Sequence, residues 1–138
     1  MFEQCMYFNT TALARRLERE WTVAFEPFGL TPPQAFLLRV VLKNPGLLQR
    51  EIARLMSISR PTATRALDAL ESKAMIVRKG SEKDGRESTV FPTAEAISIQ
   101  VALDEASAKV SARLKSVLGK ESFSDTVARL KEVRAALE

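Results

Sequence analysis

The chain reads as a mainly α-helical domain carrying one small β-hairpin. Three observations point there. Apolar residues recur at three- and four-residue steps along most of the sequence, the period of amphipathic helices. Only two runs, Met75-Ile76-Val77 and Ser88-Thr89-Val90-Phe91, have strand length and strand character, and a polar loop with two glycines separates them. The 138 residues are 46% hydrophobic and 28% charged, which supplies one core without staples and suits a soluble, helix-rich domain.

Each element has its own signal. Over residues 9 to 27, Leu13, Leu17, Trp21, Ala24, Phe25 and Phe28 mark an amphipathic helix, with Asn9 or Thr10 as cap and Pro27 with Gly29 as stop. Thr31 and Gln34 have capping-box spacing around Pro32 and Pro33, and a short apolar helix follows from Ala35 to Lys43, stopped by Asn44-Pro45-Gly46. Gln49 to Met56 is a two-turn helix with Ile52, Ala53, Leu55 and Met56 on its buried side. Ser57-Ile58-Ser59 is a turn, and Ser59 caps a helix from Arg60 to about Lys73, where Pro61 is tolerated in the first turn. Its residues Ala63, Ala66, Leu67 and Leu70 face inward; Thr62, Thr64, Arg65 and Asp68 stay outside. Pro92-Thr93 opens a helix of about 25 residues with Gly119 as its stop. Phe123, Val127, Leu130, Val133 and Leu137 form the seam of a last helix, capped by Ser122 or Ser124.

Charge is concentrated in one window. Residues 49 to 86 hold nine Lys/Arg and five Asp/Glu, an excess of four that equals the net charge of the whole chain. A local positive excess on an otherwise balanced chain suits a polyanion. The chain has no His and one Cys, so it lacks the commonest general base and metal ligand and offers no disulfide. No Gly-rich phosphate loop or paired-carboxylate site appears. The sequence therefore names no catalytic residue, metal site or cofactor and does not read as an enzyme. The N-terminus MFEQCMYFN lacks a basic n-region and an apolar h-region, and no apolar run is long enough to span a bilayer. A cytoplasmic protein is the expectation.

The basic window also has the pattern of a helix-turn-helix followed by a hairpin, a winged helix-turn-helix. Ala53 is the small residue required where two helices cross, and Ile52, Met56, Ile58 and Ala63 lock them. The second helix begins with short polar and basic side chains suited to a major groove about 12 Å wide. Ser59, Arg60, Thr62, Thr64 and Arg65 are the candidate duplex contacts: Arg pairs with guanine, Thr with a base, phosphate or thymine methyl. First-turn N–H groups offer a phosphate site. Arg86, at the tip of the hairpin loop, is placed for the minor groove, and Lys79 and Lys83 for phosphates. Taken alone, the segment also fits an ordinary helical hairpin with a solvated charged loop, or a winged-helix module for protein partners.

Leu30-Thr31-Pro32-Pro33-Gln34, Gln49-Arg50-Glu51-Ile52-Ala53, Ser59-Arg60-Pro61-Thr62-Ala63-Thr64-Arg65, Leu67-Asp68-Ala69-Leu70-Glu71 and Asp84-Gly85-Arg86, in that order and spacing, resemble the MarR family of bacterial transcription regulators. The resemblance spans residues 9 to 99. It departs from the family at Ala74, where Gly is usual, and at Pro92, where Leu is usual. It implies a single domain over 1–138, with a DNA-binding lobe at 30–93 and dimerisation helices at 1–29 and 94–138. It also implies a homodimer on a pseudo-palindromic operator in double-stranded DNA, and a wing steadied by Asp84. Exposure of Leu13, Phe123, Leu130 and Leu137 in a monomer argues for a dimer independently. The resemblance further implies repression released by a small aromatic or phenolic ligand. Trp21, Phe25, Phe28 and Arg39 are candidates to line its crevice, though each aromatic reads first as core. Cys5 gives an alternative, peroxide or redox sensing, because some members of the family carry a sensing Cys near the start of the first helix. Their accompanying Tyr is absent from the segment containing Pro32.

Overall fold

The computed structural model describes residues 1–80 and 88–138. Its elements are α1 (Met6–Phe25), a 3-10 turn (Glu26–Phe28), α2 (Pro32–Lys43), β1 (Leu47–Leu48), α3 (Gln49–Met56), α4 (Arg60–Ser72), β2 (Ile76–Gly80), β3 (Ser88–Pro92), α5 (Ala94–Leu118) and α6 (Lys120–Leu137). The architecture is mainly helical with one small antiparallel sheet. Among the described residues no helix is long and apolar enough to cross a membrane.

Most boundaries follow the sequence signals. The Thr31–Gln34 capping box forms in both directions, and Ser59 and Thr93 cap α4 and α5. Three features differ. α1 begins at Met6, and its cap is Cys5, whose Sγ accepts the Phe8 N–H at 3.5 Å; Asn9 lies inside the helix, donating to the carbonyls of Glu3 and Cys5. α6 starts directly from Gly119 (φ 89°), without a side-chain cap from Ser122 or Ser124. The hairpin gains a third strand. β1 pairs with β3 through Leu47–Val90 and Leu48–Thr89, giving the order β1-β3-β2. Gly46 makes this possible: it holds φ 90°, its N–H donates to Val90 O at 2.8 Å, and a Cβ there would press on the Phe91 ring.

One core joins the elements. Leu37, Leu38 and Val41 of α2, Ile52 of α3, Leu67 and Leu70 of α4, Ile76 and Val90 of the sheet and Leu103 of α5 are fully or almost fully buried, with Phe25 of α1 closing the cluster. Burial of side chains this size stabilises by about 1.5–3 kcal/mol each. It fixes α4 from behind, because its inward residues Ala63, Leu67 and Leu70 belong to the interior while Thr62, Thr64, Arg65 and Asp68 remain exposed. Leu55, assigned to the buried side of α3, is 54% exposed, since a two-turn helix has room for only one narrow inward stripe.

Candidate nucleic-acid interface

The outer face of α4 is assembled from its first two turns. Ser59 Oγ accepts the Thr62 N–H at 3.2 Å and donates to Thr62 Oγ1 at 2.8 Å. Thr64 Oγ1 donates to the Arg60 carbonyl at 3.0 Å, a bond that leaves its oxygen lone pairs unspent. Arg60 and Arg65 are exposed, and neither guanidinium has a hydrogen-bond or ion-pair partner among the described residues. Two unneutralised guanidiniums thus stand on a helix whose other face is locked in the core. The first turn has less to offer a phosphate than the sequence reading expected. Pro61 lacks an N–H, and those of Thr62 and Ala63 are held by Ser59.

The two turns that aim α4 share one device. After α3, the Ser57 and Ile58 N–H groups return to the carbonyls of Arg54 and Ala53; after α4, those of Ala74 and Met75 return to Glu71 and Leu70. This is the Schellman closure, which requires a left-handed residue at its corner. Ser57 (φ 55°) and Ala74 (φ 59°) occupy those corners without being glycine. Ala74 is thus the place where the chain departs from the usual Gly, and its backbone keeps the glycine conformation.

Arg78 on β2 has a role that sequence reading missed. Its Nη2 donates to Asp68 Oδ1 at 2.6 Å and Glu71 Oε1 at 3.0 Å, and its Nη1 reaches Gln49 Oε1 at 3.4 Å. Its backbone N–H also donates to Glu71. One guanidinium therefore ties the sheet to α4 and α3. The Arg78 hydrogen bond, aided by its charge, holds the Glu71 carboxyl below the usual glutamate range, while Glu71 and then Asp68 push Arg78 up. A signal was present: Asp68 and Glu71 are three residues apart, hence on one helix face, and call for a cation. At the other end of α4, Lys73 Nζ donates to Gly29 O at 2.6 Å and Gln34 Oε1 at 2.8 Å.

The remaining candidates are dispersed. Lys79 is exposed on β2 with its Nζ 4.7 Å from the Phe91 ring centroid. Lys83, Asp84 and Arg86 lie outside the described residues. Phe25 is fully buried, and Phe28 lines a cleft of about 420 Å³ between α1 and α5. Arg39 borders a separate cleft of about 820 Å³ beside α5, and Trp21 hydrogen-bonds to Ser107. Trp21, Phe25 and Arg39 gather around the Phe36 ring, whereas Phe28 faces the cleft between α1 and α5. Cys5 is a free, exposed thiol.

Residues 28–87 match the model of the MarR family. An HTH-type transcriptional repressor of Mycobacterium tuberculosis is 31% identical over 102 residues, covering 71% of this chain and 73% of that protein. The chain belongs to the MarR family. The uncharacterized HTH-type transcriptional regulator YybA of Bacillus subtilis is 31% identical over 81 residues, 59% of this chain, which spans 54% of YybA's length. The transcriptional repressor CouR, solved bound to a 23-mer DNA duplex, superposes with a TM-score of 0.80 at 27% identity, over 96% of this chain and 94% of CouR. This MarR chain is accordingly a winged-helix transcription regulator, and α4 occupies the second-helix position of its helix-turn-helix.

Proposed function

We propose that this MarR-family chain is a homodimeric, sequence-specific DNA-binding repressor released by a small ligand. The observation that carries the DNA reading is the pair Arg60 and Arg65, exposed and without described partners on a helix buttressed by the core, Arg78 and Lys73. Arg65 and Thr64 read base edges; Arg60, Ser59 and Thr62 hold the adjoining backbone or base. Lys79 and Lys83 neutralise phosphates, and Arg86 enters the minor groove from a loop steadied by Asp84. CouR's capture on a duplex supports this reading. The lobe comprises residues 30–93, and the helices of 1–29 and 94–138 join the two subunits.

The dimer is supported by apolar surface on those terminal helices. Leu130 is 41% exposed and Leu137 80%. Together with Met6, Tyr7 and Val133 they line a groove of about 1180 Å³ between α6 and the start of α1. A second copy covering this groove places two α4 helices about one DNA turn apart (~34 Å) on a pseudo-palindrome. The inducer is a small aromatic or phenolic ligand held at the junction of lobe and dimer helices.

Fluorescence anisotropy on a labelled duplex, titrated with salt, tests the function. Binding through several phosphates predicts a fall of log affinity with log salt of slope about −0.9 per phosphate. A shallow slope with no duplex preference would indicate a protein-binding module instead.

A further inference from the structure

A polar cluster interrupts the otherwise apolar contact between the lobe and the α1/α5 pair. Arg39 on α2 donates through Nε to Asp104 Oδ1 at 2.8 Å and through Nη1 to Ser107 Oγ at 3.1 Å. Trp21 on α1 donates from Nε1 to the same Ser107 oxygen at 3.0 Å. The guanidinium also lies 5.0 Å from the centroid of the Phe36 ring. Three helices therefore meet at one hydroxyl and one guanidinium. Ser107 is only 6% exposed, and the Arg39 side chain 19%.

Ionic clusters at this depth contribute little net stability, because desolvation offsets the attraction. They do impose geometry. Apolar contacts are non-directional and tolerate sliding, whereas a guanidinium fork has fixed bond directions. The cluster joins α2, which packs on α4, to the two helices that leave the lobe.

We propose that Arg39, Asp104, Ser107 and Trp21 form a latch that fixes the angle between the lobe and the α1/α5 pair, and so sets the half-site spacing the dimer accepts. Arg39, Asp104 and Ser107 are positioning residues that need not touch DNA. The latch rests on the dimeric DNA-reading function above.

The test uses full-length Arg39→Met, Asp104→Asn and Ser107→Ala against duplexes carrying the preferred palindrome, the same palindrome with its half-sites moved by one or two base pairs, and a single half-site. Each variant is expected to lose about 5- to 30-fold on the preferred spacing. Its affinity for the single half-site and for altered spacings stays at the wild-type level, so spacing discrimination collapses. The single tryptophan of the chain is Trp21, so its emission reports the latch directly. Ser107→Ala is expected to shift that emission in the free protein. Unchanged spacing preference in all three variants overturns the latch, and so does an equal loss on every duplex, single half-site included. Should Arg39→Met not fold, the near-isosteric Asp104→Asn and Ser107→Ala carry the test. Wild-type protein that binds no palindrome removes the functional reading and the latch together, an outcome distinct from variants that match a spacing-selective wild type.

Discussion

Arg65 and Ala74 show how single residues serve this fold in opposite ways. Arg65 is exposed on a helix with fixed orientation, where the proposed function needs a base-reading side chain. Arg65→Ala is expected to weaken operator binding by about 1–3 kcal/mol and to relax preference at the bases it reads. Affinities for the operator and for random duplex of equal composition decide it: equal losses on both would remove its base-reading role. Ala74 carries a conformational cost, since a Cβ in the left-handed region is disfavoured by roughly 1–2 kcal/mol. Glycine avoids that cost but loses more entropy on folding. Ala74→Gly is therefore expected to stabilise the protein by about 1 kcal/mol, raising Tm by roughly 3–5 °C, and a thermal melt reads it. The corner at Ala74 was visible in the sequence only as a non-glycine residue where Gly is usual. The backbone kept the turn and accepted the strain.

Among the elements, α2 to α5 were legible because their signals are local: the Thr31–Gln34 box, Ser59 and Thr93 as caps, Gly119 as stop. What stayed hidden depended on distant partners. β1 is two leucines with no alternation, and it exists only because β3 lies beside it. The early start of α1 rests on a thiol cap, a weak acceptor that patterns of Ser, Thr, Asp and Asn pass over. Arg78 is in sequence only one of the nine cations of the basic window, yet the hairpin turns it back onto α4. Arg78→Met is expected to leave Asp68 and Glu71 as uncompensated negative charge on the recognition helix. It should therefore weaken DNA binding more than it lowers the melting temperature. The pH dependence has a definite sign. Glu71 is held below its ordinary value in the folded protein, so its contribution is present above the unfolded glutamate pKa (about 4.3) and disappears as pH falls through the lower folded value. The stability gap between wild type and Glu71→Gln should be constant at neutral pH and close in acid; denaturant midpoints from pH 7 to pH 3 measure it. A gap that widened in acid would contradict the pairing.

At the scale of the whole molecule, Phe25 of α1 and Leu103 of α5 complete the core of the lobe, while α6 buries no residue of its own. The apolar seam of α6 was legible from periodicity alone, and it remains uncovered in a single chain. Leu130→Glu combined with Leu137→Glu is expected to convert a dimer into a folded monomer, seen by sedimentation, with operator affinity reduced by a factor of 100 or so. A double variant that sediments like the wild type would mean that these helices are not the subunit contact. In the proposed dimer two α4 helices face DNA side by side, and selection of binding sites from a random duplex pool tests that arrangement. Enrichment of an inverted repeat with half-site centres about 10 base pairs apart is the expected result. Enrichment of an asymmetric site, or no enrichment at low salt, would contradict it.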